Sequence, residues 1–256
     1  MIARDDGVLQ TTGQATRIEF DGVSLPVMVY SHSPEIRRPT VVICPPGPLM
    51  GAFEPVEWIA ARLRDAGFAA VTLTYRQNSP EKDVEDVSAV IDWLQSQTFA
   101  DPAAIGVMGT SRGGNAALRA AADEPRIRAV ATFGAVTDFL QQAFGTAAFA
   151  PSRHRMLVSW LGDPVTNRTF YERVQAIDCA DRIKQPLLLL HGEHDMHSPV
   201  EQSIAVFEKA RAAGNPKVRL ETFPLMGHYG DILPNGYAFN HLAGIFVPFL
   251  QETLGA

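Results

Sequence analysis

Near-continuous apolar runs recur along this chain at residues 40–44 (TVVIC), 68–73 (FAAVTL), 105–108 (IGVM), 127–133 (IRAVATF) and 186–191 (PLLLLH). A strand that is apolar at successive positions must be covered on both faces, which is the condition inside a parallel sheet. The segments between the runs have helical spacing, with Val56, Ile59 and Leu63 in one and Val84, Val87, Ile91 and Leu94 in the next. Alternation of this length predicts an α/β protein with a mostly parallel central sheet and helices on both faces. Residues 16–20 and 25–31 read as short antiparallel strands at the sheet edge, turning at Asp21-Gly22. The acidic opening of residues 81–97 fits a helix N-terminus. Ser198, Pro199 and Glu201 read as cap, first and third positions of a helix that Gly214 closes. Residues 218–223 give a last strand, and residues 239–254 a terminal helix with Leu242, Ile245, Phe246 and Phe249 inward. No repeat or linker divides residues 1–256, so a single domain is expected, with residues 138–184 as a helical cap insert.

Composition narrows the function classes. A net charge of −6 with 20% charged residues argues against a nucleic-acid or anionic-membrane surface, both of which normally call for a basic patch. Cys44 and Cys179 are too few for a disulfide framework. The opening MIARDDGVLQ lacks an apolar signal core, and no run reaches membrane-spanning length, so a cytoplasmic protein is expected. The sequence is compatible with a homodimer.

The run at residues 105–108 continues into Gly109-Thr110-Ser111-Arg112-Gly113-Gly114 and then a helical stretch through Ala121. A Gly-x-Ser-x-Gly between strand and helix lifts the serine oxygen above the sheet edge, and the small flanking residues let the backbone make the turn. The helix starting there directs its N-terminal amides at any oxyanion formed on the serine.

A serine hydroxyl is a weak nucleophile without a histidine base and an acid that fixes its tautomer. Of seven histidines, those in loops after strands are best placed, because catalytic groups gather at the carboxyl ends of a parallel sheet. His228, between Gly227 and Tyr229-Gly230, is the expected base, ahead of His241 in the terminal helix. Asp195 is the expected acid, with Glu193 the alternative, and the order Ser111, Asp195, His228 fits this class of hydrolase. His191, His194 and His197 crowd the same loop, but their spacing matches no recognised metal motif, so neither metal nor cofactor is expected. The oxyanion hole needs two donors. The Arg112 amide is one, and the other comes from the Pro45-Pro46-Gly47-Pro48 loop, where Gly47 is the first residue with an N–H, ahead of Leu49 and Met50. Aromatics of the insert, Phe144, Phe149 and Trp160, are candidate substrate contacts together with Leu49 and Tyr229, although such rings can equally hold the insert down.

With these motifs in order, the chain resembles the α/β-hydrolase fold, and within it the catalytic domain of the prolyl oligopeptidase family and dienelactone-hydrolase-like proteins. The matching pieces are TVVICPPGP, AAVTLTYR, DVSAVIDWLQSQTFADPAAIGVMGTSRGG, QPLLLLHGEHDMHSPVEQS and FPLMGHYG. The resemblance implies Ser111 as nucleophile, Asp195 as acid and His228 as base. Family members usually carry a large N-terminal propeller that filters peptides, which the residues before Thr40 are too few to form, so no such gate is expected. The proline loop replaces the family's oxyanion-stabilising tyrosine, Ser111 stands where dienelactone hydrolases have cysteine, and no acidic pair is placed for a peptide amino terminus. The expectation is a serine hydrolase of small esters, lactones or thioesters. A small-peptide or amide hydrolase, an acyltransferase and a non-catalytic binding protein on the same fold are the alternatives.

Overall fold

Along strand β3 (Arg38–Cys44) successive side chains pass to opposite faces of the sheet, so Val41 and Ile43 join one apolar core while Val42 and Cys44 join the other. All four are fully buried, the physical reason the run has no polar alternation. The structure is a computed structural model describing residues 13–47, 53–76, 78–228, 230 and 235–255, with backbone alone at 54, 149 and 235.

Eight strands form one sheet in the order β1-β2-β4-β3-β5-β6-β7-β8. Strands β1 (Gln14–Phe20) and β2 (Val23–Tyr30) are the antiparallel edge, and β2 is also antiparallel to β4 (Ala69–Leu73). From β4 onward every pairing is parallel, through β3, β5 (Ala100–Thr110), β6 (Ile127–Phe133), β7 (Leu187–Gly192) and β8 (Val218–Phe223). Helices α2 (Asp83–Leu94), α3 (Arg112–Asp123) and α7 (Glu201–Ala212) cover one face. The other lies under α1 (Glu54–Asp65) and α8 (Asn235–Leu254). This is the α/β-hydrolase architecture expected from the sequence. No described helix is long and apolar enough to cross a membrane.

Between β6 and β7 lie α4 (Phe139–Phe149), α5 (Pro151–Leu161) and α6 (Arg168–Arg173), followed by a 3-10 turn at Ile177–Arg182. They close on a third apolar cluster that includes Phe139, Leu157, Leu161 and Tyr171. These aromatics therefore hold the insert together.

The acidic opening expected at a helix N-terminus is found there, whereas the capping expected of Ser198 is not. The stretch at residues 81–97 is a 3-10 turn at Pro80–Lys82 followed by α2, whose first turn carries Asp83, Glu85 and Asp86, with Asp83 and Asp86 fully buried. Asp86 accepts from the Arg76 amide at 2.9 Å and pairs with its guanidinium, while Asp83 takes that of Arg112. Ser198 does not cap α7. Its hydroxyl donates to the Ala135 carbonyl at 2.8 Å, and Val200, with no side-chain oxygen to offer, stands at the cap position.

Because β3, β5, β6, β7 and β8 are adjacent and parallel, the loops at their carboxyl ends share one edge. Those loops carry Gly47, Ser111, Gly134, Asp195 and His228 in turn.

Candidate active site

Ser111 sits between β5 and α3 with φ 53° and ψ −119°, a conformation that costs a side-chain-bearing residue about 1–3 kcal/mol. The surroundings hold it there. Its amide donates to the Phe133 carbonyl at 3.1 Å, and its carbonyl accepts from the amides of Asn115 and Val136 at 3.3 and 3.1 Å. The turn is also jammed against β3, since a Cβ on Gly113 would lie 1.9 Å from the Cys44 carbonyl oxygen. Only glycine allows α3 to start so close to the neighbouring strand. Arg112, the first residue of α3, has its amide among the first-turn donors that find no acceptor within their own helix.

Across the edge, His228 Nδ1 lies 2.6 Å from Asp195 Oδ2, with both residues buried. A carboxylate can only accept, so Nδ1 donates and Nε2 is the basic nitrogen. The other carboxylate oxygen, Oδ1, accepts from the amides of His197 and Ser198, both at 2.7 Å. His191 Nε2 approaches Oδ2 at 3.3 Å while lying 2.7 Å from the Ser198 carbonyl, so its hydrogen is shared between the two. Burial alone would push the Asp195 carboxyl up, but hydrogen bonds from His191 and His228, the His228 charge and the Ser198 amide outweigh it. The carboxyl is held well below the usual carboxylate range.

That depression has a sign that can be measured. A carboxyl with a lowered folded value adds stability above the unfolded pKa of about 3.9 and loses it as pH falls through the lowered value. The gap in Tm between the parent and Asp195→Asn is therefore expected not to shrink between about pH 8 and 5 and to narrow only below about pH 4. A gap that closes between neutrality and pH 5 would place the titrating group elsewhere.

Gly134 ties the two halves of the site together. A Cβ there would lie 3.2 Å from both Asp195 Oδ2 and His228 Nδ1, and the residue before it, Phe133, holds the Ser111 amide. Ser111 and the His228–Asp195 pair thus flank the same Phe133-Gly134 corner. The alternatives are engaged elsewhere: Glu193 accepts from the Thr222 hydroxyl at 2.7 Å, and His241, within α8, packs edge-on to Phe223 with centroids 5.5 Å apart.

Gly47 lies against the Arg112 side chain so closely that a Cβ on it would be 2.3 Å from Arg112 Cδ. The Arg112 guanidinium is buried in turn. Its Nε and Nη2 donate to the two oxygens of Asp83 at 2.8 and 2.6 Å, and it lies over the Tyr75 ring at 4.4 Å and the Trp160 ring at 5.4 Å. The Tyr75 hydroxyl donates to the Pro45 carbonyl at 3.2 Å, so this cluster supports the proline loop as well. Trp160 is thereby brought beside Arg112, whereas Phe144 on α4 is 48% exposed. Leu49 and Tyr229, like the Phe149 side chain, lie outside the described residues. Sequence reasoning missed Asp83, because its partner Arg112 is 29 positions away along the chain. Among the described residues no group of three or more His, Cys, Asp or Glu is arranged to hold a metal ion.

Residues 70–256 match the prolyl oligopeptidase family. The 2,6-dihydropseudooxynicotine hydrolase of Paenarthrobacter nicotinovorans is 27% identical over 197 residues, 73% of this chain and 53% of that protein. Esterase LipC of Mycobacterium tuberculosis is 26% identical over 217 residues, 76% of this chain and 54% of its own length. The chain thus spans about half the length of these two relatives. Among solved structures, a Mycobacterium tuberculosis puromycin-hydrolyzing peptidase superposes with a TM-score of 0.79 at 22% identity, covering 95% of this chain and 39% of that one.

Proposed function

Because this chain belongs to the prolyl oligopeptidase family, we propose that it is a serine hydrolase that cleaves small carboxylic esters, lactones or thioesters through an acyl-enzyme on Ser111. The observation that carries the reading is Ser111 held at positive φ on the same corner as the His228–Asp195 pair. In this reading His228 Nε2 takes the Ser111 proton as the hydroxyl attacks the carbonyl, and Asp195 stabilises the imidazolium through Nδ1. The Gly47 and Arg112 amides receive the oxyanion. The imidazolium then protonates the leaving alkoxide, and a water activated by the same nitrogen releases the acid. The helices at residues 138–184 serve as the cap that sets access, with Trp160 and Phe144 among its contacts to the acyl group. The net charge of −6 disfavours polyanionic substrates. We place the protein in the cytoplasm.

Family membership and the peptidase neighbour favour amide cleavage as the second reading. An amide nitrogen needs well-timed protonation and tight positioning, and no acidic pair that would anchor a peptide amino terminus was found in the sequence. The expected result is a higher kcat/KM for a p-nitrophenyl ester than for the matched p-nitroanilide, with Phe144→Ala shifting acyl-chain preference more than the maximal rate. A faster anilide would assign the protein to the peptidases.

A further inference from the structure

His197, two residues beyond Asp195, is placed by four contacts. Its amide donates to Asp195 Oδ1 at 2.7 Å, and its ring stacks on that of His228 with centroids 4.9 Å apart and planes at 27°. Its Nδ1 lies 2.7 Å from Arg153 Nη1, and its carbonyl accepts from Gln142 Nε2 at 2.5 Å. Arg153 belongs to α5 and Gln142 to α4, so the last two contacts come from the helical insert.

A guanidinium can donate but never accept, so the Arg153 contact requires His197 Nδ1 to be the unprotonated nitrogen. In this contact Nδ1 is the acceptor, which places the ring hydrogen on Nε2. A neutral imidazole can lie face to face with His228 whether that ring is neutral or protonated, and its π face favours the cation. A protonated His197 would instead set a second positive charge at the same spacing, and His228 would resist taking a proton.

We propose that Arg153 and His197 are positioning residues for the base, the cap helix α5 fixing the tautomer of His197 so that its ring supports His228 through protonation. The proposal rests on the reading of His228 as general base. Among the described residues, the charged and titratable groups around His197 include Arg153 from α5, His228 from the loop after β8, Asp195 in its own loop, and His191 of β7 behind that carboxylate.

The test compares the parent with Arg153→Met, His197→Phe and the double variant. Histidine ring nitrogens are followed by NMR through a pH titration, and kcat/KM toward p-nitrophenyl butyrate is measured over the same range. In the parent, His197 shows the Nε2–H neutral form and takes up a proton at lower pH than in Arg153→Met. On the acid limb, Arg153→Met acquires a second ionisation, losing about ten-fold more kcat/KM per pH unit than the parent once both imidazoles titrate. His197→Phe keeps a ring against His228 and a single ionisation, and the double variant follows His197→Phe.

A His197 that titrates identically with and without Arg153 overturns the proposal even where turnover is normal. So does an Arg153→Met rate loss of the same factor at every pH, the mark of a merely structural contact. A protein without ester turnover in which Arg153 still fixes the His197 tautomer would defeat the reading of His228 as base while upholding the Arg153–His197 contact.

Discussion

Replacing Ser111 by alanine lowers kcat/KM toward a p-nitrophenyl ester by about four orders of magnitude or more, and His228→Ala does the same. The double variant is little worse than either single one, because a nucleophile without its base and a base without its nucleophile perform the same missing step. The backbone adds a second, opposite expectation. Ser111 has φ 53°, a region where glycine carries no steric penalty, so Ser111→Gly relieves strain as it removes the nucleophile. That variant is expected to be inactive yet more stable, by about 1 kcal/mol or more. Thermal unfolding beside the ester assay checks both halves. Additive losses in the double variant, or a Ser111→Gly that is both inactive and less stable, would count against a strained nucleophile turn.

The largest stability effect is expected at Asp83, not at the candidate catalytic residues. Its two oxygens hold the Arg112 guanidinium at 2.8 and 2.6 Å, with relative side-chain exposures of 1% and 2% for aspartate and arginine. Removing one partner of a buried ion pair leaves the other charged in an apolar site, a loss of about 3–5 kcal/mol. Asp83→Ala is therefore expected to lower the unfolding free energy by that amount. Replacing the pair together, as Asp83→Leu with Arg112→Met, is expected to recover most of it, because two apolar side chains bring no desolvation penalty. Activity should separate from stability here. Gly47 packs on the aliphatic part of Arg112, which methionine largely keeps, whereas Gly47→Ala drives a Cβ to 2.3 Å from Arg112 Cδ and must displace the loop. Denaturant unfolding and kcat on the three variants test this, and an Asp83→Ala within about 1 kcal/mol of the parent would contradict it.

How much the sequence foretold depends on whether the signal was local. The apolar runs at β3, β4, β5, β6 and β7 announced the parallel sheet because burial on both faces leaves a mark at every position. The glycines around Ser111 were legible for the same reason, since Gly113 faces the Cys44 carbonyl at a distance no side chain tolerates. His228 and Asp195 could be chosen from their places after strands, which the topology brings to a single edge.

Pairings over long separations left no such mark. Asp83 and Asp86 sit among acids that any helix N-terminus would welcome, and nothing nearby in sequence shows that each is buried against an arginine. Ser198 has the local pattern of a helix cap, yet its hydroxyl is taken by Ala135, a residue 63 positions away. His197 was visible only as one of a cluster that invited a metal reading. The contact on its Nδ1 comes from Arg153, 44 positions away.

The central claim is that the Ser111 oxygen is a nucleophile activated by His228. Labelling with a fluorophosphonate probe followed by peptide mass spectrometry measures that reactivity without knowledge of the natural substrate. One equivalent of adduct on Ser111 is expected in the parent, none in Ser111→Ala, and a rate reduced by about three to four orders of magnitude in His228→Ala. A folded parent left unlabelled at Ser111, or one labelled there equally fast with His228 replaced, would contradict it.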